Sequence, residues 1–259
     1  MMTREALAGR IGGYAFVEME GHAHTYLCDG ARDMTVERIA QVARARGIRL
    51  VILAPHGHRA LRDGERTHYW DTDEAIFETL RADIDRYARL HETPQFLLTS
   101  EMDILNVSGE TSLAISPAMA RCLDFLLPTV NFHPLLGIQS VEGTSFRTIR
   151  AHHDSGQYAR LAQAAGGQAR VLTGYFEAYQ NALQRSDHPC VPGHLLLALS
   201  EYAPGYTWFG VTPKDMPLIY ALAESLLETI AANCPFVDLT GLFHTAAQPD
   251  WEGKGPAPH

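Results

Sequence analysis

Arg49–His58 reads RLVILAPHGH. Within it Arg49–Ala54 (RLVILA), continuous and apolar after Arg49 with β-branched Val51 and Ile52, reads as a strand buried on both faces, the pattern of a parallel sheet covered by helices. Pro55 ends the run, and His56 follows at once. Working outward, Thr35 to about Arg46 places Val36, Ile39, Val42 and Ala43 on one helical face, and Tyr14–Glu18 (YAFVE) before it reads as a first strand. Downstream, about Asp73 to Leu90 carries Ile76, Leu80, Ile84 and Tyr87 at helical spacing, and Gln95–Thr99 (QFLLT) is the next strand. Leu123–Val130 is predicted as a further strand despite Pro128. Helices are predicted over 156–165 and 171–184, a strand within Pro189–Leu199, a long helix from about Pro213 to Ala232, and a last strand at Pro235–Leu239. Strands alternating with helices imply a parallel sheet, either a closed barrel or a doubly wound open sheet. No G-x-G-x-x-G follows the first strand, which argues against dinucleotide binding.

The 259 residues suit one large α/β domain, expected over 1–242, with 243–259 as an irregular Pro/Gly-rich tail. A net charge of −9 and the absence of any Lys/Arg block argue against a nucleic-acid partner. A small anionic substrate stays compatible with that charge if metal ions supply local positive charge. Cys28, Cys122, Cys190 and Cys234 form no C-x-x-C pair and are expected to be reduced and mostly buried. The N-terminus has no apolar signal core and no run is long enough to span a bilayer, so the expectation is a cytoplasmic protein with no membrane partner.

Histidines and one glutamate fall where the strands end. His22 and His24 (GHAHT) follow the first, His56 the second, Glu101 (TSEMD) the third, His133 (VNFHP) the fourth, and His194 (VPGHL) lies within or after the fifth. In parallel sheets and barrels the carboxyl ends of the strands converge on one face, where ligands bind. Neutral imidazoles with a carboxylate suit zinc, manganese or iron. Two ions about 3.5–4 Å apart can steady both the attacking and leaving oxygens of phosphoryl hydrolysis.

The same segments resemble the polymerase-and-histidinol-phosphatase (PHP) superfamily. EGHAHTYLCDG and VILAPHGH look like its first two motifs, LLTSEMDI like its glutamate motif, and LDFLLPTVNFHPLLG, YFEAYQNALQRSDHPCVPGHLLL and FVDLTGL like its later ones, in order from about Ala15 to Leu242. The resemblance implies a distorted seven-stranded (β/α) barrel that binds two or three divalent ions. It implies that His22, His24 and Glu101 hold the first ion, that Glu101 bridges to a second held by His133 and His194, and that His56 serves a further one. Glu101 and His194 would be the catalytic residues. Pro55, Gly21 and Asp238 depart from the family pattern, and its final D-x-H is absent from the sequence, so the barrel is expected to lack its last strand. His244, Asp238 and Asp250 are the candidates to replace those ligands. A second subunit, the tail or Met1–Arg10 is expected to cover the open edge, which makes a homo-oligomer one expectation.

The function implied is hydrolysis of a small phosphate monoester by hydroxide generated on the metal. Hydrolysis of a phosphodiester or C–N bond, or a non-catalytic metal-binding descendant, is the alternative. The His152–His153 pair reads as a loop or helix start, because adjacent side chains point apart. Arg147, Arg150, Arg160 and Arg170 are the candidates for a phosphate-binding guanidinium.

Overall fold

A computed structural model describes residues 1–27, 33–56, 74–112, 115–130, 156–195, 201–203, 206–207 and 210–234. The architecture is mixed α/β with parallel sheets. Strands β1 (Met19–Ala23), β2 (Leu50–Leu53) and β3 (Gln95–Leu98) pair parallel in that order, with Leu50 opposite both Met19 and Gln95. Strand β4 (Glu101–Asp103) follows β3 after only Thr99 and Ser100, and pairs parallel with β5 (Leu127–Thr129). Isolated parallel bridges carry the ladder further, from His56 to Glu101 and from Leu126 to Cys190. Among the described residues no pairing closes this sheet into a barrel. The expected last strand, the absent-strand feature, the boundary at Leu242 and the tail 243–259 all fall outside the described residues.

Helices fill the connections. Thr35 caps α2 (Val36–Ala45), its hydroxyl accepting from the Arg38 amide at 3.2 Å. The long α3 (Glu74–Leu90) returns the chain to β3. A short α4 (Pro117–Cys122), capped by Ser116, precedes β5. Helices α5 (Gln157–Ala164) and α6 (Gln168–Arg185) lead to the Cys190–Leu195 segment, and α7 (Met216–Asn233) follows a 3-10 turn at Pro213–Asp215. A small antiparallel hairpin, β6 (Glu201–Ala203) and β7 (Tyr206–Thr207), lies between α6 and α7.

The alternation of β2 splits its side chains between two cores. Val51 and Leu53 pack with Val36, Ile39, Phe77, Leu80 and other helix residues, while Leu50 and Ile52 pack with Leu97, Phe125, Leu127 and Val191. The second core is plugged by α1 (Arg4–Ile11), an N-terminal helix without a clear sequence signal, through Leu7 and Ile11.

Two sequence expectations are corrected. The first strand is Met19–Ala23 and not Tyr14–Glu18: the Ala15 amide donates to the Glu18 carboxylate and the Glu18 amide to the Ala15 carbonyl, a turn that leaves Val17 79% exposed. The fourth strand shortens to Leu127–Thr129, and Leu123, the first residue of the predicted run, instead closes α4, its amide donating to the Met119 carbonyl. Pro128 is tolerated there, having only a carbonyl to offer, which accepts from the Gly193 amide at 3.0 Å.

Candidate metal centre

Glu101 is the middle of the cluster. It opens β4 after Thr99 and Ser100, which separate it from the end of β3 at Leu98, with its amide donating to the Pro55 carbonyl at 3.0 Å, and it is 1% exposed. His22 lies inside β1 and His24 one residue past its end, while His56 sits three residues beyond β2. His194 follows the Leu126–Cys190 bridge.

These five side chains converge. His22 Nε2 is 3.1 Å from Glu101 Oε2, His56 Nδ1 is 3.3 Å from the same oxygen, and His194 Nε2 is 3.2 Å from Oε1. The His24 ring stacks on His56 with centroids 4.8 Å apart, and His22 meets His194 edge-on at 4.6 Å. The ligand atoms fall into two groups that share the carboxylate: His22, Glu101 and His194, and His24, His56 and Glu101, each within 4.8 Å of one another. His22 and His24, which the resemblance assigned to one ion, have ring centroids 5.0 Å apart.

Burial alone raises the Glu101 pKa. The charges of His56 and His194, with hydrogen bonds from His194 and His22, outweigh it and hold the carboxyl well below the ordinary range. Four imidazoles around one buried carboxylate are a poor packing solution in an apolar core, where such groups cost free energy unless paired. They are ligand types that could hold a transition-metal ion. The donor set could therefore hold a metal ion, and Glu101 belongs to both groups.

Elsewhere the outcome varies. His133, His152, His153, Arg147, Arg150, Asp238, His244 and Asp250 lie outside the described residues. Arg160 is exposed on α5, and Arg170 forms an exposed ion pair with Glu177 at 2.7 Å. Cys122, Cys190 and Cys234 are buried free thiols, and burial pushes the Cys190 thiol up to about 11. Sequence reasoning assigned no role to Asp103, buried two residues beyond Glu101 on the same face of β4. It also gave none to Tyr175 and Tyr179, whose i, i+4 spacing on α6 was the available signal.

The sequence matches no family model and no curated protein. Among solved structures, a histidinol phosphate phosphatase from Lactococcus lactis subsp. lactis, crystallised with zinc, L-histidinol and phosphate, is similar at 11% identity and a TM-score of 0.38. The likeness spans 86% of this chain and 84% of that one. Among the described residues no helix is long and apolar enough to cross a membrane.

Proposed function

We propose that the chain is a metal-dependent hydrolase of a small phosphate monoester, built on a PHP-type barrel. One observation carries the reading: a single buried carboxylate, Glu101, is common to two groups of histidine ligand atoms, His22 with His194 and His24 with His56. His22 and His194 would hold one divalent ion with Glu101, and His24 and His56 a second. His133, by the sequence resemblance, would complete the set, and zinc, manganese or iron would suit it. When bound, such ions supply Lewis acidity and lower the pKa of water in contact with them towards ~7.

The chain's own residues supply the arrangement. Glu101, already ionised, needs no deprotonation to act as a shared ligand. The edge-on contact of His22 with His194 and the stacking of His24 on His56 fix the ring planes. A net charge of −9 makes a local cationic centre the means of attracting a phosphorylated substrate. Elemental analysis of the purified protein, followed by turnover of p-nitrophenyl phosphate and histidinol phosphate with zinc, manganese or iron, tests the proposal. More than one equivalent of metal with turnover is expected. Less than half an equivalent after reloading would overturn the metal reading, and full occupancy without turnover would overturn the phosphatase.

A further inference from the structure

We propose that Tyr179, with Tyr175, is a positioning pair that locks His194 into reach of Glu101, an inference that rests on the metal-site reading above. His194 has φ +52°, a left-handed conformation that residues other than glycine rarely adopt. Something must hold it there. The residues on both sides of it are held by the same helix. The Tyr179 hydroxyl donates to the Gly193 carbonyl at 2.7 Å, and the Tyr175 hydroxyl donates to the Leu195 carbonyl at 2.7 Å. Tyr179 also accepts from the Val130 amide at 3.0 Å, so one phenol ties the end of β5 to the residue before His194.

Gly193 is seated as firmly. Its amide donates to the Pro128 carbonyl, and a Cβ at this position would lie 2.6 Å from Thr129 Cγ2 and 2.9 Å from Leu127 Cγ. The backbone entering His194 is thus pressed against β5 and pinned at both its polar groups. Leucine or phenylalanine would fill the space of either tyrosine ring, since both rings are fully buried in the helix-side core. Phenols are retained where a hydroxyl meets a specific partner, and here the partners flank one residue. Burial also pushes both phenols well above their ordinary pKa, so they stay protonated donors wherever the imidazoles are neutral ligands.

The test is a cycle of variants titrated, after metal removal, with cobalt(II) chloride and followed by visible absorption. Tyr179→Phe should weaken cobalt binding by about tenfold or more, the effect typical of groups that orient a metal ligand. The same substitution in a His194→Ala background should change nothing further, because the group it orients is gone. A merely structural tyrosine would weaken both backgrounds alike, and that result, or cobalt binding by Tyr179→Phe equal to wild type, overturns the clamp. Tyr175→Phe, which loses the Leu195 bond, runs through the same cycle should Tyr179→Phe not fold. If His194→Ala itself binds cobalt as tightly as wild type, the fault lies with the metal reading of His194 and the clamp falls with it.

Discussion

His56 and Glu101 are neighbours twice over. Their backbones form a parallel bridge beyond the ends of β2 and β3, and His56 Nδ1 lies 3.3 Å from Glu101 Oε2. The lateral pairing of the strands is extended just far enough to place an imidazole beside the carboxylate. Glu101 meets His22 and His194 as well, so its loss should reach every part of the cluster.

Glu101→Ala should therefore remove metal from both histidine groups, while His22→Ala should spare the His24–His56 group and His24→Ala should spare the His22–His194 group. The loss in affinity for the group directly affected should exceed the ~10–100-fold typical of residues that only support a ligand. Zinc stoichiometry and competition with a chromophoric chelator measure it. Equal stoichiometry in all three variants and wild type would remove the basis for the cluster as a metal centre.

Acid should weaken the metal-free protein through the same residue. The folded-state pKa of Glu101 is depressed, so the stability it contributes is fully present above its unfolded value of about 4.3 and is lost as pH falls through the folded value. Relative to Glu101→Gln, wild type should lose stability on acidification from about pH 5 towards pH 3. Urea midpoints of both proteins with a chelator present measure the difference; parallel pH profiles would contradict it.

The sheet is covered on both faces, and truncation on either side should show it. Leu50→Ala opens the core plugged by α1, and Leu53→Ala the core against α2 and α3. Each side chain is fully buried, so each substitution should cost about 2–5 kcal/mol in urea unfolding. A cost under about 1 kcal/mol at Leu50 would mean that the α1 face is not a packed core.

Gly193→Ala tests the close approach to β5. Its new methyl group must displace Thr129 or Leu127, which overpacks the site by about 1–3 kcal/mol. Because His194 is the next residue, metal affinity should fall together with the thermal midpoint. A variant with wild-type midpoint and wild-type affinity would show that the contact is not rigid.

Much of the scaffold was legible from local pattern. The helix at Val36–Ala45, the helix at Glu74–Leu90 and the strand at Leu50–Leu53 lie within a residue or two of their predicted spans, because period and capping are properties of neighbouring residues. The first strand was misplaced because YAFVE has the composition of a strand, yet the Glu18 carboxylate bonds the Ala15 amide and turns the chain first. The break between β3 and β4 that makes Glu101 open a new strand has no sequence period at all. There the Thr99 hydroxyl donates to the Phe125 carbonyl and the Ser100 carbonyl accepts from the Leu127 amide, contacts with residues far along the chain.

By itself the sequence determined the chemistry available: histidines and a glutamate placed after apolar runs, in a chain with no Lys/Arg block and no long unbroken apolar run. Residue type and strand periodicity are enough for that, because they depend on positions close in the chain. Only the tertiary structure decided which histidine stands with which, that Glu101 is shared, and that two tyrosines on α6 hold the backbone around His194. Those relations join β1, β2, β4 and the segment after α6, and they are set by strand register and helix packing between residues far apart in the chain. Local pattern carries no record of such contacts.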